Sequence, residues 1–361
     1  MEDVVMAQGP DPAFWAAKRV LVTGHTGFKG GWLSLWLQSM GAEVHGLALS
    51  PQTNPSLFVA AEVAKGHSST AFGDIRDYAT VAAVVTRTKP QVVFHLAAQA
   101  LVRSSYVQPA ETYSTNVMGV VHLFEAVRSL PGVRAVVNVT SDKCYENREW
   151  LRGYREDDAV GGHDPYSSSK GCAELVTAAY RRSFLSGAGI AVATARAGNV
   201  IGGGDWAPDR LLPDLLRAVE RCQKTTIRFP DATRPWQHVL EPLSGYLMLA
   251  ERLYMNGEDY AEPWNFGPPD DEALSVRCVV ERVVSRYPSL EWECEPSAQP
   301  HEAHNLKLDS MKARTRLAWK PRWNLQVALD KTLQWHEAWT RGERMRDVTL
   351  AQIDEHSRHN A

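Results

Sequence analysis

A chain of 361 residues that is 44% hydrophobic and 22% charged can bury a substantial core, as one large domain or two smaller ones. Its formal net charge of -3 gives no general attraction for nucleic acid or an anionic membrane, so any cation that binds an anion must act locally. No uninterrupted apolar run approaches bilayer length, and the opening residues carry acids where a secretory leader needs bases. Five cysteines without a C-x-x-C spacing speak against a disulfide framework and a zinc site; the expectation is a cytoplasmic protein with reduced thiols.

Residues 1 to about 14, with Pro, Gly and Asp and no periodicity, read as a loose lead-in, and regular structure is expected from Lys18. From there short β-branched runs at 19–23, 43–49, 68–72, 91–97, 134–141 and 190–197 alternate with amphipathic stretches over 30–40, 77–87, 110–129 and 165–185. Such alternation predicts right-handed βαβ units and an α/β, doubly wound, mostly parallel sheet of seven strands. After Gly198 the rhythm breaks: a Gly-rich turn, a helix over 209–222, a short strand TTIRF, a helix over 238–253 that returns to the main body, and a helix over 324–340. The polar, charge-mixed segment 341–361 reads as a frayed tail.

The first strand runs straight into Thr23-Gly24-His25-Thr26-Gly27-Phe28-Lys29-Gly30 and then a helix. Glycines at 24, 27 and 30 permit positive φ and let a pyrophosphate reach backbone N–H groups at a helix start. Taken alone, the spacing suits a flexible loop equally well. Its place at the first strand of a long βαβ series points to a dinucleotide. The second strand ends Leu49-Ser50, where an acid would hold ribose hydroxyls, and no arginine follows to hold a 2′-phosphate; NAD is favoured over NADP only modestly.

Tyr166 and Lys170 stand four apart at the start of a helix introduced by Asp164-Pro165, so both lie on one face. A free phenol titrates near about 10, and a neighbouring cation would bring it towards use as a base. Some 25 residues upstream a hydrophobic strand ends in Thr140-Ser141-Asp142-Lys143, placing a hydroxyl, a carboxylate and an ammonium at the carboxyl edge of the sheet, where α/β folds put their ligands.

Together with Gly73-Asp74-Ile75, His95-Leu96-Ala97-Ala98-Gln99 and Asn116-Val117-x-Gly119, these motifs resemble, over about 18–340, the extended short-chain dehydrogenase/reductases. Ser141-Asp142-Lys143-Cys144-Tyr145, Gly198-Asn199-Val200 through Trp206, Arg234-Pro235-Trp236 and Pro300-His301-Glu302 are similar to the nucleotide-sugar 4,6-dehydratases that act on CDP-glucose. Lysine at 143, where dehydratases for dTDP-glucose usually carry glutamate, is the telling difference.

The resemblance implies an NAD-binding Rossmann domain over 15–198 and a mainly substrate-binding portion over 199–340. It implies that Gly24, Thr26, Gly27, Phe28, Lys29, Gly30 and Ser50 hold NAD. Asp74, Ile75, Leu96, Ala97, Ala98, Gln99 and Asn116 would do so too, along with Tyr166 and Lys170. It further implies that Tyr166 takes the C4 hydroxyl proton, that Ser141 hydrogen-bonds the same oxygen, that Asp142 protonates the hydroxyl leaving C6, and that Lys143, if neutral, takes the C5 proton. Asn199, Val200, Arg210 and Arg234 would contact the nucleotide sugar, CDP-glucose or a relative, with His301 and Glu302 as a nucleotide-specific stretch. His301 and His304 do not form H-E-x-x-H, and no metal is expected. The four tryptophans at 319, 323, 335 and 339 read as packing rather than base stacking. Relatives pair through helices near 110–129 and 165–185, which implies a homodimer or homotetramer. A 4-epimerase or a reductase would share the glycine loop and Tyr166/Lys170 but has no use for Asp142-Lys143; a cofactor-sensing regulator would be expected to lose the tyrosine or lysine.

Overall fold

Runs such as Val92–His95 and Ala135–Val139 are buried at successive rather than alternate positions, the pattern of strands covered on both faces. The computed structural model describes residues 9–269, 272, 274–295 and 305–358. It pairs β1 (Arg19–Thr23) in parallel with β2 (Glu43–Ala48) on one side and β4 (Val92–His95) on the other. β3 (Ser69–Phe72) flanks β2, while β5 (Ala135–Val139), β6 (Ala191–Ala197) and β7 (Pro263–Phe266) follow β4. The strand order therefore reverses between β1 and β4, and the crevice above their carboxyl ends is the topological switch point. The seventh strand is Pro263–Phe266, which pairs with β6 so that Phe266 lies opposite Ala197.

Helices cover both faces. Val20 and Val22 of β1 join Trp32 and Trp36 of α1 (Phe28–Ser39) and Leu243 and Tyr246 of a helix that returns late in the chain. Leu21 between them points the other way, to Val84 of α2 (Tyr78–Thr88) and to Leu123 and Phe124 of α3 (Gly119–Arg128). This is the two-residue period of a strand read on two cores. The stretch expected as one helix over 110–129 contains a π-helical turn at Ser114–Met118, and α4 (Pro165–Tyr180) runs into another at Arg181–Leu185.

Beyond Gly198 a third cluster joins Leu212 and Leu215 of α5 (Leu211–Arg221) to Trp236, Val279 and Val283. α6 (Leu240–Asn256) then returns to the sheet, packing on β5 and β6. α7 (Leu325–Thr340) contributes Ala328 and Leu329 to the third cluster. Trp319, Trp323 and Trp335 are almost wholly buried, as packing residues should be.

The end of the chain corrects one expectation. Residues 345–358 are not frayed but form α8 (Met345–Arg358). His356 Nε2 lies 3.0 Å from Glu241 Oε1 with both side chains fully buried, and Trp335 Nε1 donates to Thr349 Oγ1 at 2.9 Å. These polar contacts join the packing of Met345 and Ile353 into the main core to dock the helix. Among the described residues no helix is long and apolar enough to cross a membrane.

Candidate active site

The glycine loop is fixed by contacts that leave no room for side chains. Gly24 has φ +77°, and a Cβ there would stand 2.8 Å from the backbone nitrogen of Ala97; one on Gly30 would stand 2.1 Å from the Gly24 carbonyl. The loop therefore lies flat between the end of β4 and the start of α1. α1 begins at Gly27 without a side-chain cap, which leaves its first N–H groups for an anion. Thr26 Oγ1 donates to the Leu49 carbonyl at 2.9 Å, tying the loop to the end of β2, and Thr23 Oγ1 accepts from the N–H groups of Leu96 and Ala97. Loop and donor set fit the pyrophosphate of a dinucleotide.

Three of the expected cofactor residues are committed elsewhere by their side chains. Asp74 closes on Arg76 at 2.6 Å, because the turn after β3 brings the guanidinium back over it. The Asn116 amide is spent on the Gln99 backbone, at 2.8 and 3.0 Å, and on Ser169 Oγ at 2.9 Å. Gln99 Nε2 in turn reaches Thr112 Oγ1 and the Leu101 carbonyl. Asn116 thus ties the loop after β4 to the helix that carries Tyr166. Ile75 is buried, with its carbonyl 3.0 Å from His122 Nδ1, while Ser50 is exposed just past β2.

Ser141 caps the short turn Asp142–Cys144, accepting from the Lys143 N–H, and its hydroxyl donates to Asp142 Oδ1 at 3.0 Å. Gly171 allows this turn to meet α4: a Cβ there would stand 2.5 Å from the Gly161 carbonyl and 3.4 Å from that of Cys144. α4 itself starts where Pro165 fixes φ and Asp164 caps, with Oδ1 accepting from the Ser167 N–H at 2.9 Å. The result brings Ser141, Asp142 and Tyr166 together. The Ser141 hydroxyl lies near enough to the phenol to act on its titration. Lys143, next in the same turn, is half-buried.

Burial pushes the Tyr166 phenol up to about 12; the Ser141 hydrogen bond and the Arg210 charge pull against that, and Asp142 adds to it. Lys170 stands one turn along α4 from Tyr166 and is buried with it. Its ammonium donates to the Val139 carbonyl at 3.2 Å, and burial lowers it to about 8 against the pull of Glu174 one turn further on. Lys29 is likewise lowered to about 8 by burial, with Arg210 and Lys170 acting the same way and Asp142 opposing. Lys29, Arg210, Asp142, Lys170 and Tyr166 therefore share one electrostatic site.

Beneath it lies a network that local motifs did not flag. Glu174 accepts from Thr140 Oγ1, from Thr194 Oγ1 at 2.7 Å, and from Arg196 Nε and Nη2 at 2.9 and 2.8 Å. Arg196 also donates to the Tyr145 hydroxyl at 2.7 Å, which donates to Asn265 Oδ1 at 2.7 Å. The network joins β5, α4, β6 and β7 immediately below the Ser141 turn. A glutamate four residues after Lys170 was the available signal.

Of the expected substrate residues, Arg210 pairs with Asp205 at 2.7 Å and faces Tyr166, and Arg234 is buried with one donor on the Thr233 carbonyl. The Asn199 carbonyl accepts from Gln237, and Val200 pairs with the same residue in a two-residue strand. His301 and Glu302 lie outside the described residues.

Sheet order, glycine loop and tyrosine–lysine helix define an NAD-dependent enzyme of the extended short-chain dehydrogenase/reductase type. The model of the GDP-mannose 4,6 dehydratase family matches residues 21–332, and the chain belongs to that family of nucleotide-sugar 4,6-dehydratases. It is 53% identical over 355 residues to the CDP-glucose 4,6-dehydratase of Salmonella typhimurium, covering 96% of this chain and 98% of the relative. Among solved structures, the UDP-glucose-4-epimerase of Stenotrophomonas maltophila with bound NAD and formylated UDP-arabinopyranose superposes with TM-score 0.79 at 21% identity, covering 90% of this chain and 99% of the other, a likeness of fold. MoeE5 in complex with UDP-glucuronic acid and NAD gives TM-score 0.74 at 27% identity, with the same coverage of 90% and 99%.

Proposed function

We propose that the chain converts CDP-D-glucose to CDP-4-keto-6-deoxy-D-glucose and water, a CDP-glucose 4,6-dehydratase reaction that feeds deoxysugar biosynthesis. The observation that carries this is the Ser141-Asp142-Lys143 turn at the carboxyl edge of the sheet, which brings the Asp142 acid within electrostatic reach of Tyr166 and carries the Lys143 amine next to it in the chain. A 4-epimerase needs only the tyrosine. The relative in Salmonella typhimurium supports the choice of nucleotide.

NAD would be held by the loop Gly24–Gly30, by Ser50 and the Asp74–Ile75 backbone, by Leu96–Gln99, and by Tyr166 and Lys170. NAD, when bound, would supply the acceptor and later the donor of the hydride, and its positive charge would add to that of Arg210 on the phenol. Tyr166 takes the C4 hydroxyl proton while Ser141 holds the same oxygen. Once C4 is a ketone the C5 proton is acidic; Lys143 takes it and gives a proton back to C5 when hydride reaches C6. For that the amine must be uncharged, and burial by the sugar works in the direction it already works on Lys29 and Lys170. Asp142 gives its proton to the hydroxyl leaving C6. Arg210 and Arg234 suit the diphosphate, since planar guanidinium groups bind phosphate oxygens in pairs.

Exposed Met118, Leu175 and Phe184 near α3 and on and after α4 support a homodimer, or a tetramer of two such pairs, which light scattering would test. The function itself is tested with CDP-, UDP-, GDP- and dTDP-glucose, following the strong alkaline ultraviolet absorbance of a 4-keto-6-deoxy sugar. CDP-glucose should give product without net NADH. Turnover of another nucleotide in preference, or a 4-epimer as product, would contradict the assignment.

A further inference from the structure

α6 is pressed against β7: a Cβ on Gly245 would stand 2.3 Å from the Phe266 ring. The next residue, Tyr246, is fully buried, with its ring centroid 5.5 Å from that of Phe266. Phe266 lies opposite Ala197, and a Cβ on the following Gly198 would stand 3.1 Å from Asp142 Oδ2. A short relay of contacts therefore runs from the core helix to the site. At its two ends stand two buried polar atoms without a hydrogen-bond partner in the structure, the Tyr246 hydroxyl and Asp142 Oδ2. Asp142 Oδ1 is already held by Ser141. Asp142 and Tyr166 are also the two ionisable groups that Tyr246 feels, after its own burial.

A phenol in this core costs free energy that phenylalanine would avoid, unless the hydroxyl finds a partner. A carboxylate oxygen can accept two hydrogen bonds, so Oδ2 can be held from below and still face the sugar. We infer that Tyr246 is a positioning residue whose hydroxyl reaches the Asp142 carboxyl group through one buried water, donating to it. It steadies the carboxylate left when Asp142 gives up its proton. This rests on Asp142 being the acid of the proposed reaction. The bond strengthens as the negative charge develops, so it favours elimination more than substrate binding. The other groups facing Asp142 are Ser141 and Cys144 of its own turn, Tyr166 of α4 and Lys29 of α1, all unchanged by a substitution at 246.

The test is Tyr246→Phe in the NAD-loaded enzyme with CDP-glucose. We expect kcat to fall about tenfold with KM little changed, the scale of one transition-state hydrogen bond of about 1.4 kcal/mol. A transient of NADH absorbance should appear on rapid mixing, because elimination becomes slower than hydride removal. The basic limb of the kcat profile should move to higher pH, since a carboxylate that loses a donor holds its proton longer. In the free protein, the infrared carboxyl band assigned by comparison with Asp142→Asn should titrate at higher pH in Y246F. An unchanged kcat, or a fall with neither NADH transient nor shifted titration, overturns the inference; the latter is the outcome if the phenol serves Gln237 Oε1, the other unpaired buried acceptor near Phe266. If Asp142→Asn still dehydrates, it is the acid assignment that fails, and the infrared comparison then judges Tyr246 on its own.

Discussion

Replacing Glu174 with alanine should destabilise the protein by about 3–5 kcal/mol, the cost of leaving one member of a buried ion pair without its partner. The pair qualifies: side-chain exposure is 2% for Arg196 and 4% for Glu174, at 2.8 Å. Alanine also strips an acceptor from Thr140 and Thr194. Burial alone would raise the Glu174 carboxyl, but the Arg196 charge and three side-chain donors outweigh it and hold the carboxyl below its usual range. Its contribution to stability is therefore present above the unfolded value of 4.5 and is lost as pH falls below it. Urea unfolding followed by tryptophan fluorescence would measure E174A, Arg196→Met and the double variant, at pH 7 and on descent well below 4.5. The double variant should be more stable than the two single losses added together, because removing both charges leaves none unpaired. A loss below about 1 kcal/mol in E174A, or strict additivity, would refute the account of this network.

Lys143→Met should lower dehydration by about 10²- to 10⁴-fold, the usual scale of a general base, while NAD binding measured by fluorescence titration stays close to wild type. Glu251, which accepts from Trp15 Nε1 and the Asp11 N–H, is raised by burial to about 7. Its contribution to stability is then present below 4.5 and lost as pH rises through about 7, so urea midpoints should fall over that window in wild type and stay flat in Glu251→Gln. Ending the chain at Gly342 should lower Tm, because Trp335, Lys331 and Glu241 lose their contacts with Thr349, Gln352 and His356; a frayed tail would leave Tm unchanged.

The six strands that set the switch point were legible because each is a short run of strand-forming or apolar residues between turn signals, and the shared face of Tyr166 and Lys170 because both lie about one helical turn apart. What escaped depends on distant partners. Pro263–Phe266 is four residues long and is a strand only because β6 presents an open edge to it. α8 buries Met345, Thr349, Gln352, Ile353 and His356, a correctly spaced stripe made mostly of polar residues, so hydrophobic periodicity passes over it. The spacing of Tyr166 and Lys170 predicted one shared face, but it carried no information on the Val139 carbonyl that accepts from the ammonium, nor on the Arg210 charge that acts on the phenol. Tyr246 reads in sequence as one more large residue on a core helix, and its unpaired hydroxyl appears only once α6 is laid on the sheet.

The central claim is that hydride leaves C4 and comes back at C6 of the same sugar. CDP-glucose carrying deuterium at C4, turned over by the NAD-loaded protein, tests it most directly by NMR of the product. The account predicts a 4-keto-6-deoxy sugar with the deuterium on C6 and no net NADH. Deuterium retained at C4 of an epimerised sugar, or lost from the sugar altogether, would contradict it.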